Sequence, residues 1–127
     1  MARRFKPLAV LAAQAADDKG GEKIELVHLK GVTSLADYLL IVSVDSPAQM
    51  EAMENKISSV LEENRISLLH HEGSKSGLWK VLDYGGLLIH LMHPEARNFY
   101  ALDKLYRDAP KVHWKNSSHP KKHAAHR

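Results

Sequence analysis

The chain has 127 residues, 26% of them charged, a formal net charge of +3 and no cysteine. That length fits one domain with a core of its own, and the missing thiols exclude disulfides, cysteine nucleophiles and thiolate metal sites. The apolar runs, such as Leu87 to Met92 interrupted by His90, fall far short of the roughly 20 residues a bilayer crossing requires.

The charge is unevenly placed. Residues 110–127 carry five Lys or Arg and no acid, whereas residues 7–109 carry ten Lys or Arg against all fifteen Asp and Glu. An acidic body is poorly suited to gripping a phosphate backbone, which needs clustered cations, and suits a basic protein partner. The expected organisation is an α/β domain over residues 1–109 and a basic, flexible tail over 110–127, whose prolines, serines and histidines show little apolar period. The role expected of that tail is a weak attraction to nucleic acid.

In chain order, the start "MARRFKPLAVLAAQAADD" imitates an export signal, with a basic head, a short apolar stretch and Ala13-Gln14-Ala15. The stretch from Pro7 to Ala13 barely reaches the minimum of about 7 residues for such a region. The expectation is instead an alanine-rich helix over 7–18, with Leu8, Leu11, Ala12 and Ala15 on one stripe, closed by Gly20 and Gly21. Residues 23–30 alternate as a strand with a half-polar face. Residues 37–44, "DYLLIVSV", are apolar on both parities and suit a central strand.

Ser46-Pro47 predicts a helix start, serine as cap and proline at the first helical position. Met50, Met53, Ile57, Val60 and Leu61 then recur at helical spacing to about Asn64. Residues 66–71 and 78–83 read as short strands separated by a Gly73–Gly77 loop, and the Asp83-Tyr84-Gly85-Gly86 turn leads into a hairpin partner over 87–92. A last helix is expected over 94–107, with Ala96, Phe99, Tyr100 and Leu105 available for packing. The order of elements describes a single-domain α/β sandwich, a mixed sheet of about five strands flanked by helices.

Enzymatic chemistry finds little support. No G-x-S-x-G elbow occurs, and "EGSKSG" lacks the spacing of a phosphate-cradling loop. His70 and His71 are strand neighbours that point to opposite faces, and His90 and His93 differ by an odd number, so neither pair converges on a metal. No metal and no cofactor is expected. Asp37, Asp45 and Asp83 come singly from different elements. Asp45 fits a helix start and Asp83 a turn. A metal-dependent phosphotransferase or nucleotidyltransferase-like enzyme using Asp37 and Asp83 is the alternative reading.

One sheet face stands out. Trp79 shares parity with Val81 and Asp83, and the hairpin partner offers Leu88, His90 and Met92 on one side against Leu87, Ile89 and Leu91 on the other. Apolar side chains mixed with a histidine have the composition of a docking surface. The same residues would also fit a core face covered by the last helix, with His90 a satisfied core histidine.

The dispersed series Asp37-Tyr38, Glu72-Gly73, Trp79, Asp83-Tyr84-Gly85, His90, Glu95, Arg97, Phe99-Tyr100 and Leu102 resembles the Iojap family, also called the ribosomal silencing factor RsfS family. The likeness runs from about Leu8 to Ala109, with Asp103 and Tyr106 standing where the family usually has glutamate and tryptophan. It implies a nucleotidyltransferase-like α/β fold without catalytic machinery. It also implies a cytoplasmic repressor that binds ribosomal protein L fourteen on the large ribosomal subunit, keeps the small subunit from joining, lowers translation when nutrients fail and assists late assembly. Contact of the tail with ribosomal RNA and a homodimer in the free state stay open. Carried over position by position, the family's docking surface falls on Trp79, Leu82 and Met92 as apolar anchors and Glu72, Asp83, His90, Glu95 and Arg97 as polar contacts. Leu82 and Trp79 have opposite parity, so they share a face only across a bulge. Arg97 has an internal alternative, a pair with Glu95 or Asp83.

Overall fold

The structure, a computed structural model, describes residues 4–29, 31–73 and 77–115. Helix α1 (Phe5–Asp18) packs beside α2 (Pro47–Glu63) on one face of a five-stranded sheet. The strands are β1 (Glu22–His28), β2 (Tyr38–Ser43), β3 (His70–Gly73), β4 (Trp79–Asp83) and β5 (Leu87–Met92), in the spatial order β1-β2-β5-β4-β3. Only β2 and β5 run parallel; the other neighbours are antiparallel, so the sheet is mixed as expected. The crossover from β2 includes α2, which covers the sheet on its way back.

Composition explains the packing of α1. Ala9, Ala12, Ala13 and Ala16 are fully buried, and their short side chains let the helix lie close to its neighbours. Leu11 is only half-buried, so the buried stripe sits nearer the alanines than the expected one. At the helix end Gly20 takes φ +84°, and Gly21 is pressed so closely that an added Cβ would stand 2.5 Å from Val42 Cγ1 and 2.9 Å from the Ala16 carbonyl oxygen. Helix α2 starts as its sequence dictates. Ser46 Oγ accepts from the Gln49 N–H at 3.1 Å, Pro47 occupies the first turn, and Gln49 Oε1 in turn accepts from the Asp45 N–H at 2.9 Å. Gln49 Nε2 also donates to the carbonyls of Lys19 and Gly20, tying the end of α1 to the start of α2.

Under the two helices lie Leu26, Leu40, Val42, Leu82, Leu87, Ile89 and Leu91. A second cluster forms on the opposite face from Val27, Leu29, Leu39, Ile41, Met92, Ala96 and Ala109. There the covering elements are α3 (Pro94–Tyr100) and α4 (Leu102–Leu105). The single helix expected over 94–107 is broken at Ala101, which takes φ 53°, ψ 43° and caps α3 in the left-handed region.

Two further expectations are corrected. The strand expected over 66–71 forms instead at His70–Gly73, because Ile66 closes the end of α2, its N–H bonded to the Leu61 carbonyl and its side chain buried. The tail expected to be free from residue 110 is docked through residue 115. The His28 N–H donates to the Pro110 carbonyl, the Val112 N–H to the Leu26 carbonyl, and Val112 and Trp114 pack on the core. Lys111 Nζ meets Glu25 Oε1 at 2.7 Å and Gln14 Nε2 donates to the Trp114 carbonyl. The histidines 119, 123 and 126 lie outside the described residues.

Candidate functional site

Strand parity and register build the site. The side chains of Trp79, Val81 and Asp83 in β4 face away from α1 and α2, in register with Met92, His90 and Leu88 of β5. On the other side of β4, Glu72 is paired with Val81. One row across the sheet therefore reads Glu72, Val81, His90, Ile41. It passes from an exposed carboxylate at the β3 edge to a buried isoleucine beneath the second cluster. Helices α3 and α4 cover the β1–β2 side of this face, while β4 and β3 keep a half-open surface. A shallow depression of about 250 Å³ lined by Glu72, Gly73, Trp79 and Val81 lies there.

Trp79 is the pivot of this surface. Its Nε1–H donates to His90 Nδ1 at 2.8 Å, and its ring lies 4.4 Å from that of Tyr100, which meets Phe99 edge-on at 5.0 Å. Phe99 is 80% exposed and Tyr100 53%. Because His90 Nδ1 accepts, the neutral imidazole carries its proton on Nε2. Burial penalises the imidazolium and lowers the pKa of His90 to about 4, so the ring is neutral at physiological pH. The half-open face thus presents an indole, a phenol, a phenyl ring and a neutral imidazole, rimmed by Glu72. Such a surface can be desolvated by an apolar partner without stranding a buried charge.

The remaining predicted site residues divide by position. Asp83 sits on the same face, but its Oδ1 accepts from the Gly85 N–H at 2.8 Å and forms the turn. Glu95 is exposed in the first turn of α3, where its N–H donates to His93 Nδ1 at 3.1 Å. Three residues expected as contacts are buried inside the fold. Leu82 is fully buried beneath α1 and α2 because its parity is opposite to that of Trp79. Met92 is fully buried in the second cluster. Arg97 is 5% exposed and takes up the internal alternative, with a partner not foreseen: its Nε and Nη2 donate to Asp103 at 3.1 Å each and its Nη1 to Ser43 at 3.0 Å. Val81, Phe99 and Tyr100 also belong to the half-open surface, beyond the residues carried over from the family. The Phe-Tyr pair stood in the sequence as a packing pair and a family mark, and strand parity placed Val81 beside Trp79.

Among the described residues no group of three His, Asp or Glu is gathered as metal ligands would be. Asp37 and Asp45 flank opposite ends of β2. His71 points to the opposite face of the sheet from its strand neighbour His70, with its Nδ1 4.0 Å from Glu54. No helix of the described residues is long and apolar enough to cross a membrane.

A family model described as "ribosomal silencing factor during starvation" matches residues 2–127. The chain belongs to the ribosomal silencing factor (RsfS) family. A ribosomal silencing factor from Bacillus subtilis is 35% identical over 105 residues, covering 83% of this chain and 89% of that protein. One from Halalkalibacterium halodurans is 34% identical over 105 residues, 83% of this chain and 90% of that protein. The chloroplastic Iojap protein of maize, Zea mays, is 26% identical over 104 residues, 82% of this chain and 45% of that protein. The fold is shared with a crystal structure of a Chromobacterium violaceum protein, with a TM-score of 0.77, 25% identity, and coverage of 94% of this chain and 99% of that one. A structure from Bacillus halodurans gives a TM-score of 0.72 at 30% identity, over 85% of this chain and 98% of that one. The family resemblance read from the dispersed residues is therefore correct, and so is the α/β architecture.

Proposed function

We propose that this RsfS-family chain is a cytoplasmic translational repressor, not an enzyme. It docks on ribosomal protein L fourteen of the large ribosomal subunit and keeps the small subunit from joining. The observation that carries the reading is the half-covered sheet face, where Trp79, Tyr100 and Phe99 form a contiguous aromatic surface beside neutral His90. Central aromatic anchors of this kind dominate interface energies. The acidic body favours a basic ribosomal protein by charge complementarity. Repression is steric: subunit association and binding of this domain are mutually exclusive, so each weakens the other by the same coupling free energy. Bound to an unfinished particle, the same domain would also hold back premature joining during late assembly.

Cosedimentation with isolated large subunits, paired with light scattering of subunit association, tests the reading. Excess protein should pellet with large subunits and slow their joining. Trp79→Ala should weaken binding by about 2 kcal/mol, roughly 30-fold, with the melting temperature recorded alongside. Phe99→Ala removes a ring that is 80% exposed, so it should weaken binding with the fold unchanged. Large subunits that stay free of the protein, or join small ones at an unaltered rate in its excess, would overturn the proposal.

A further inference from the structure

On the opposite face of the sheet from Trp79, at the end where β2 begins, lies a cleft of about 500 Å³ lined by Arg4, Phe5, Lys6, His28, Asp37 and Tyr38, with Pro7 at its rim. Its construction follows from the sequence. His28 and Tyr38 are directly paired across β1 and β2, and their rings stack at 4.7 Å with an interplanar angle of 15°. Phe5, in the first turn of α1, rests on Gly86, where an added Cβ would stand 2.2 Å from the ring. The missing side chain at Gly86 is what lets the ring in. The result is a pocket walled by three rings, with the exposed Arg4 and Lys6 on one side and the exposed carboxylate of Asp37 on the other.

Three features of the cleft point to one kind of ligand. Among the described residues, Arg4, Lys6 and Asp37 form no ion pair, so their charges are available to a ligand. Helix α1 starts without a side-chain cap, which leaves the N–H groups of its first turn to add to the positive end. The aromatic wall supplies stacking area for a flat ring, and stacking on aromatic side chains is tolerant of base identity. A ligand that matches cations, rings and a carboxylate acceptor together carries an anionic group, a planar heterocycle and hydroxyl donors. The cleft also has the volume typical of small-molecule sites.

We propose that this cleft binds a ribonucleotide, its phosphate held by Arg4 and Lys6, its base stacked against the Tyr38–His28–Phe5 wall and its ribose hydroxyls donating to Asp37. The chemistry is common to a free nucleotide and to a nucleotide within an RNA strand. The site is separate from the docking face, so it stands or falls independently of the proposed repressor role.

Calorimetric titration of the full chain with each of the four nucleoside monophosphates, with adenosine, with inorganic phosphate and with a six-nucleotide single-stranded RNA tests it. At least one monophosphate should bind saturably at one site, and both adenosine and inorganic phosphate should bind more weakly. Removing one charge-assisted contact by Lys6→Ala or Arg4→Ala should weaken binding about tenfold, and both positions are exposed, so the fold should persist. Tyr38→Leu should weaken it further, while Lys104→Ala, an exposed charge removed far from the cleft, should leave it unchanged. Tighter binding of the RNA than of any monophosphate, lost in the same variants, assigns the nucleotide to a strand; equal or weaker binding assigns it to the free pool. Absence of saturable binding by every probe at millimolar concentration would overturn the proposal. So would binding that Lys6→Ala and Tyr38→Leu leave untouched.

Discussion

Acid should loosen this protein through a single buried imidazole. His90 has a pKa of about 4 in the folded chain against 6.5 as a free side chain, because burial penalises its charged form. Protonation at Nδ1 would also remove the lone pair that accepts from Trp79 Nε1. Between these two values the unfolded chain holds the proton and the folded one does not, so stability is complete above pH 6.5 and falls as the pH drops. The loss should reach about 2 kcal/mol at pH 5 and about 3 kcal/mol at pH 4, and flatten below that. Other groups titrate in the same interval, so the informative quantity is a difference between chains. In His90→Asn the amide can offer an acceptor near the position of Nδ1 without titrating. Urea unfolding followed by tryptophan fluorescence at pH 7.5 and pH 5 should show wild type losing about 2 kcal/mol more than the variant. Equal losses in the two chains would refute the reasoning, as would an NMR titration placing His90 at or above its free value.

Other outcomes follow from the packing. Asp103→Asn leaves the buried Arg97 guanidinium with Ser43 and a neutral amide, and chemical denaturation should record a loss of about 2 kcal/mol. Ending the chain at residue 109 instead of 115 uncovers the backbone of residues 26–28 and removes Val112 and Trp114 from the core. The shorter chain should be less stable by about 3 kcal/mol, read from paired urea curves. Gly21→Ala drives a methyl to 2.5 Å from Val42 Cγ1, so the α1–β1 junction must shift and the melting temperature should fall, at a cost of about 1–3 kcal/mol.

Much of this fold could be read from the chain because local and global signals agree. Leu39 to Val42 is apolar on both parities and does become a strand buried on both faces. Ser46-Pro47 does cap α2, and Asp83 does fold the turn toward Gly85. Parity set Leu82 against Trp79, and the observed register of β4 with β5 then puts His90 on the Trp79 side. Where the reading failed, the deciding contact was distant in sequence or carried no composition signal. Ile66 and Leu68 looked like strand residues, yet Ile66 is held by the end of α2, and the strand forms next to them from exposed polar residues. Nothing about an alanine announces the left-handed turn at Ala101. That turn is what brings Asp103 round to Arg97, a spacing of six that no unbroken helix would pair. Residues 110–115 were hidden by the polar company they keep, since Val112 and Trp114 show no period and are placed by β1 and by Gln14 of α1.

The docked segment after Ala109 also determines how copies of this chain could stack. It occupies one rim of the sheet along residues 26–28, and beyond it the register shift between Glu22 and Glu25 with Lys23 at φ 48° makes the rest of β1 a poor template. The opposite rim, β3, remains unoccupied among the described residues. A strand ladder that needs both rims finds only one of them open among the described residues. Among the described residues the rim left for edge-to-edge pairing is β3, and a β3-to-β3 pair would close on itself as a two-fold pair instead of lengthening into a fibre.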